Sequence, residues 1–203
     1  VIAPAEQAVL KDNTREQAEV LKARFDQHLT YLHDVVASFA AQESIQAAAT
    51  GADDKEDAAR ILQDTLPAAE AVFLFEPGDV SQPQDRSWEL GFASIDLARQ
   101  AEREGETRMD AFQRDGNWFV QIAAPVGVTG ADQDGGSLLV IFDDSVMDPV
   151  LSAARVLDGR VELRQRVDGR DVSVFTSGSA QGDGVARDLA VDDWSVRYVP
   201  VSR

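Results

Sequence analysis

Residues 118–156 read WFVQIAAPVGVTGADQDGGSLLVIFDDSVMDPVLSAARV. The segment holds two apolar runs, Asn117 to Val126 and Ser137 to Phe142, joined by a loop of glycines and acids, Gly127 to Gly136. Along the first run Trp118, Val120, Ile122 and Ala124 share one face, and Phe119, Gln121, Ala123 and Pro125 share the other. Both faces are largely apolar, whereas a sheet open to water on one side alternates clearly. The pattern therefore predicts a sheet covered on both sides. Asp144 or Ser145 then caps a helix through Val156.

Further strands flank this pair. Arg108 to Arg114 precedes Asp115-Gly116, a dipeptide that suits the left-handed geometry of two-residue hairpins, and so pairs with Asn117 to Val126. Ala71 to Phe75 (AVFLF) is a short buried strand ended by Pro77-Gly78. After Gly159 a further hairpin is expected from RVELRQRV and RDVSVF around Asp168-Gly169, and WSVRYVPVS forms a last strand. Residues 160–203 either add a sheet layer to the first sheet or begin a second module.

The helices follow from the other periodicity. From Thr14 to about Thr50 there is no proline or glycine, and Leu21, Phe25, His28, Leu32, Val35 and Phe39 recur in steps of four and three. This predicts one long amphipathic helix with a capping box at Thr14 and Gln17. Such a helix exceeds globular length, so it packs along the sheet, projects as a stalk, or pairs with a second copy through a seam of Leu21, Phe25, Leu32, Val35 and Phe39. Asp53 or Asp54 caps a shorter helix to Thr65, with Ala59, Ile61 and Leu62 apolar. Trp88 to Glu104 is helical again, stopped by Gly105, and with the long helix covers the two sides of the sheet. The resulting division is 1–50 for the long helix, 51–158 for the central domain and 159–203 for a C-terminal β extension or the start of a second module.

Composition narrows the chemistry. The 203 residues carry 36 acids and 19 bases, a formal charge of −17, which repels nucleic acid and anionic bilayers alike. There is no cysteine, so thiolate catalysis, zinc thiolate sites and disulfides are excluded. No apolar run approaches the roughly 20 residues of a membrane span, so any membrane attachment lies in segments outside this chain. The two histidines, His28 and His33, are five residues apart and about 140° apart around a helix, which rules out an i, i+4 metal pair. Asp132 and Asp134 resemble a fragment of a calcium loop but lack the distal glutamate, and a hairpin loop is the plainer reading. The glycine and serine stretch SGSAQGDG lacks the lysine of a phosphate-binding loop. Carboxylates abound, yet nothing selects a catalytic pair. No cofactor is expected and no catalytic residue stands out. The candidate ligand-binding residues are Arg86 and Trp88 before the middle helix, with Phe75, Trp118, Phe119 and Gln121 on the sheet, aromatic walls with a few polar groups. The plainer reading has the aromatics as core and Arg86 as a surface loop charge.

The order of these elements resembles a known family. A long N-terminal helix, a strand ending FLFEPGDV, a helix-bearing insertion, and then VQIAAPV followed by GGSLLVIFDDSVMDPVL resemble the extracytoplasmic Cache domains, the PAS-like modules of bacterial receptors. More narrowly, LGFASIDLARQAEREGE, the AAPV hairpin and VELRQRVDG resemble the N-terminal extension of gammaproteobacterial phosphomannomutase/phosphoglucomutase proteins. The phosphoserine loop of the mutases is absent, so no mutase activity is carried over. The amino-acid recognition pattern of some receptors is not matched either, since Arg86 and Trp88 are one residue apart instead of three. The resemblance implies an α+β, PAS/Cache-like central antiparallel sheet with a long N-terminal helix and a C-terminal β-hairpin extension. It implies a non-catalytic, periplasmic sensory or regulatory module of an inner-membrane protein, with a small-molecule ligand between the sheet and the Trp88 helix. The alternative is a structural module that forms a homodimer through the helix or docks a partner without a ligand.

Overall fold

The computed structural model describes residues 4–51, 53–82, 88–127, 135–155 and 157–201. It contains helices α1 (Pro4–Ala40), α2 (Glu43–Ala49), α3 (Lys55–Thr65), α4 (Phe92–Glu104) and α5 (Asp148–Ala154). The strands are β1 (Ala69–Phe75), β2 (Arg108–Arg114), β3 (Asn117–Val126), β4 (Gly136–Phe142), β5 (Gly159–Val167), β6 (Arg170–Ser177), β7 (Val185–Asp188) and β8 (Trp194–Pro200). Two compact units result. One comprises Tyr31–Val146, the other Val1–Thr30 together with Met147–Arg203. The border falls inside α1 and at Met147, not at the ends of the long helix and of residue 158 as the sequence division had it.

The Tyr31–Val146 unit is built on an antiparallel sheet of order β1-β4-β3-β2. Asp115 (φ 50°) and Gly116 (φ 82°) both take the left-handed conformation, the two-residue hairpin expected there. That turn sets the register Arg114↔Asn117, Phe112↔Phe119 and Asp110↔Gln121. All seven residues of β4 are buried. Helix α4 packs on β2, β3 and β4, where Phe73, Phe75, Ala123, Leu139 and Ile141 meet Leu97, Ala98 and Ala101. On the opposite face a Cβ placed on Gly136 would lie 3.5 Å from that of Ala49 in α2 and 2.1 Å from the Phe75 carbonyl oxygen, so only glycine fits. Helix α3 packs on β1 and is tied to it by Lys55 Nζ to Glu76 Oε1 at 2.8 Å and by Gln63 Nε2, which donates to the Glu70 carbonyl.

The second unit holds a separate antiparallel sheet of order β6-β5-β8-β7. Asp168 and Gly169 form its left-handed turn, again as expected. Residues 159–203 therefore carry more than a hairpin extension. The short β7 escaped sequence reading because its four residues are alternately half-buried and exposed, which leaves no apolar signal. Glu19 of α1 pairs with Arg187, and Asp26 accepts the Ala190 backbone N–H at 2.6 Å.

Besides α4, which begins at Phe92 and not at Trp88, the helices depart from expectation in three places. Helix α1 starts near Pro4, ten residues before Thr14, whose hydroxyl donates to the Leu10 carbonyl at 2.7 Å within the helix instead of capping it. The helix also stops at Ala40. Gln42 turns extended (φ −70°, ψ 139°) and α2 resumes in a new direction, which lets Ile45, Ala48 and Ala49 bury against the sheet; tertiary packing overrides a sequence without breakers. Third, Asp143 caps the segment before α5, accepting the Ser145 N–H at 2.8 Å, where Asp144 or Ser145 had been expected. Asp54 caps α3 as read, accepting the N–H groups of Glu56 and Asp57 at 3.0 Å.

The apolar stripe of α1 has a different period from the expected seam. Its buried residues are Ala18, Leu21, Phe25, Leu29, Leu32, Val36 and Ala40, steps of three, four and four that average about 3.67 residues. Leu21, Phe25 and Leu32 are thus interior positions of this chain, while Val35 and Phe39 stay half-buried to one side. Val36→Ala should cost about 2 kcal/mol of stability and Val35→Ala less than about 1. Urea denaturation of the pair of variants checks this, and equal losses would contradict the 3.67-residue stripe.

Candidate functional site

Strand alternation decides which candidate residues meet. Phe75, Phe119 and Gln121 lie on the α4 side of the sheet, and Trp88, just before α4, joins them there. Trp118 is adjacent to Phe119 in the same strand and so points to the opposite face, with Val120 and Ile122. Arg86, like Asp132 and Asp134, lies outside the described residues.

Phe75 is core, 5% exposed and stacked on Phe73 with ring centroids 6.3 Å apart. The accessible part of the face lies further across, where Trp88, Phe112 and Phe119 are half-buried. Trp88 meets Phe119 edge-on at 5.2 Å, and Phe112 stacks on Phe119 at 5.5 Å. Arg114 places its guanidinium 4.4 Å from the Trp88 ring centroid and donates to the Glu89 carbonyl at 3.4 Å. A cation over an indole face is worth about 0.5–1 kcal/mol where water reaches it.

Beneath the aromatics runs a buried polar chain. Ser94 of α4 donates from Oγ to Gln121 Oε1 at 2.6 Å. Gln121, fully buried on β3, donates from Nε2 to Asp110 Oδ1 on β2, also at 2.6 Å. An amide in an apolar interior costs several kcal/mol unless its hydrogen bonds are made, so Gln121 needs both partners. Asp110 stands at the end of the chain, half-buried beside Phe112. Burial pushes its carboxyl up to about 7; the Gln121 hydrogen bond opposes this and the charge of Asp96 adds to it.

Ser94, Asp110, Phe112 and Arg114 were not among the sequence candidates. The signal for three of them was present: a two-residue turn at Asp115-Gly116 pairs 110 with 121 and 112 with 119, so β2 residues 108, 110, 112 and 114 must share the face of Phe119 and Gln121. Together these groups offer a half-buried aromatic surface, a carboxyl acceptor whose pKa burial raises to about 7 and a guanidinium donor on the same strand face. They lack a nucleophile with its base. Among the described residues no group of three metal-ligating side chains occurs, and no helix is long and apolar enough to cross a membrane.

No protein-family model matches the chain, and no curated protein does. Solved structures do. The extracellular domain of the histidine kinase rpHK1S-Z16 is similar, with a TM-score of 0.64 at 11% identity over 97% of this chain and 96% of that one. The ligand-binding domain of the Pseudomonas aeruginosa amino-acid chemoreceptor PctC, in complex with GABA, gives 0.61 at 14% identity over 94% and 99%. The ligand-binding domain of the Pseudomonas fluorescens chemoreceptor CtaA, in complex with L-isoleucine, gives 0.62 at 14% identity over 98% and 96%. At these identities the likeness establishes the fold: the chain has the long-helix, two-sheet α+β fold of extracytoplasmic sensor domains.

The Asp110 carboxyl has a testable consequence for stability. Its folded value lies above the ordinary one of 3.8, so the folded state holds the proton more tightly and loses stability as pH rises from about 4 through 7. Asp110→Asn keeps an acceptor for Gln121 but cannot ionise. Its melting temperature, relative to the unsubstituted protein, should rise between pH 5 and pH 8, by the equivalent of roughly 1–3 kcal/mol. A difference independent of pH would place Asp110 in contact with water.

Proposed function

We propose that this chain is a non-catalytic extracytoplasmic sensory domain that binds a small organic ligand on the α4 side of the β1-β4-β3-β2 sheet. The observation that carries the reading is the joining of Asp110, at the end of the Ser94–Gln121 chain, to the half-buried aromatic surface of Trp88, Phe112 and Phe119. Such a surface takes the apolar or flat body of a ligand, and Asp110 takes a hydrogen-bond donor or a cationic group. The fold supports the reading, since the similar PctC and CtaA domains bind GABA and L-isoleucine, both of which carry an ammonium group. In this reading the domain is held at the inner membrane by segments outside the chain. The mutase as output domain rests on the sequence resemblance alone.

A ligand signals only if it binds two arrangements of the domain with different affinity. In this reading the element that shifts against the sheet is α4. Ser94 on α4 is hydrogen-bonded to Gln121 on β3, so a ligand that engages Asp110 pulls on the bond that fixes the helix to the sheet.

A thermal-shift screen of amino acids, amines and organic acids tests this. A ligand at 100 times its dissociation constant adds about 2.7 kcal/mol, which for a chain of this size raises the melting temperature by roughly 5–10 °C. Asp110→Asn and Phe112→Ala should each abolish the rise. Silence across all three classes, or a rise that both variants retain, would remove the site.

A further inference from the structure

On the other side of the sheet, the Tyr31–Val146 unit carries an apolar groove that the sensory reading does not use. A recess of about 490 Å³ is lined by Phe39, Ile45, Ile61 and Leu62 with Asp53, Asp54 and Asp57 at its margin. A second of about 270 Å³ adjoins it along α1, lined by Tyr31, Asp34, Val35 and Ser38, and the two share Phe39 and Gln42. Tyr31, Val35 and Phe39 form a stripe one residue out of phase with the interior stripe of Leu32, Val36 and Ala40. Eight residues separate its ends, about 12 Å along the helix. Ile61, on the outer side of α3, is 53% exposed and Tyr31 is 61% exposed. Clustered large apolar side chains left in water commonly mark a binding face.

The lining charges indicate what kind of partner fits. Among the described residues four aspartates line the two recesses, and no lysine or arginine does. Asp57 is paired with Arg60, Asp34 lies 3.2 Å from His33 Nδ1, and Asp54 is spent on the α3 cap. Asp53 is exposed and has no ion pair among the described residues. A second copy related by a two-fold axis would bring these carboxylates against their own counterparts, between chains of −17 each. A segment with apolar anchors flanked by cations meets no such opposition.

We propose that this groove docks a short amphipathic helix of a partner protein, its apolar side chains seated on Phe39, Ile61 and Leu62 and its Lys or Arg residues reaching Asp34 and Asp53. Helix-in-groove recognition reads anchors at i, i+3, i+4 and i+7, which span about 10 Å and match the 12 Å stripe.

The probe is a fluorescein-labelled 14-residue helical peptide with leucine at i, i+3, i+4 and i+7 and lysine elsewhere, titrated by anisotropy with the whole chain in 0.15 M NaCl. A scrambled peptide of the same composition measures diffuse attraction to the acidic surface. The amphipathic peptide is expected to bind at least tenfold more tightly than the scrambled one. Ile61→Lys, at an exposed position, should remove that advantage with the melting temperature unchanged, and Asp34→Asn with Asp53→Asn should weaken binding several-fold. Equal binding of the two peptides, or full affinity in Ile61→Lys, would overturn the proposal. So would a dimer in sedimentation that Ile61→Lys dissociates, since the occupant would then be a second copy.

Discussion

Burial of the β1-β4-β3-β2 sheet on both faces is the constraint on which the rest of the Tyr31–Val146 unit depends. Every residue of β4 is buried, and so are five consecutive residues of both β1 and β3. A polar side chain buried there costs free energy unless it is hydrogen-bonded, and of the two in this layer Ser137 Oγ on β4 has no partner among the described residues. Gln121 meets the condition by spending its carbonyl on Ser94 and its amide on Asp110. Gln121 thus calls for a hydroxyl on α4 and a carboxyl on the outer strand. The cost appears at Asp110, whose charge is disfavoured by the burial that makes the chain work. A group poised in this way is suited to answering a ligand, because a cation or a strong donor beside it relieves a penalty already present.

Helix α1 meets a different requirement. A heptad seam repeats every 3.5 residues and drifts about 20° per heptad around a straight α-helix. Over the 22 residues from Ala18 to Ala40 a straight helix keeps one face inward only if its apolar positions average near 3.6. The three-four-four spacing of the interior stripe does this. The seam read from Leu21, Phe25, Leu32, Val35 and Phe39 follows the same face for its first residues and then slips off it, leaving Val35 and Phe39 half-buried at its margin. Those two side chains become available for a groove because they are surplus to the core.

Much of the fold was legible because its signals are local. Asp115-Gly116 and Asp168-Gly169 required left-handed backbone, and both hairpins formed around them. The two-sided apolar character of Asn117 to Val126 announced a covered sheet. The break at Gln42 was not legible, since no breaker residue marks it and its cause is the burial of Ile45, Ala48 and Ala49 elsewhere in the fold. The site was half legible. Phe119 and Gln121 were chosen for their chemistry, and the pairing that adds Asp110 and Phe112 followed from the turn already identified. Trp118 lies on the other face by the same alternation that places Phe119 toward α4. Ser94 carried no signal, because a serine on a helix becomes informative only when the residue opposite is known.

The surface proposed for a ligand and the groove lie on opposite sides of one sheet, and that separation has a physical consequence. Phe73 and Phe75 of β1 face α4, while Val72 and Leu74, alternating with them, face the other way. Helix α3, which supplies Ile61 and Leu62 to the groove, packs on this same strand and is tied to its end by Lys55 and Glu76. A close-packed interior passes displacement on instead of absorbing it. A shift of α4 large enough to move β1 would alter the seat of α3, and with it the shape of the groove. Coupling of this kind would be reciprocal: an occupant of the groove would bias the α4 side by the same free energy with which a ligand there would bias the groove.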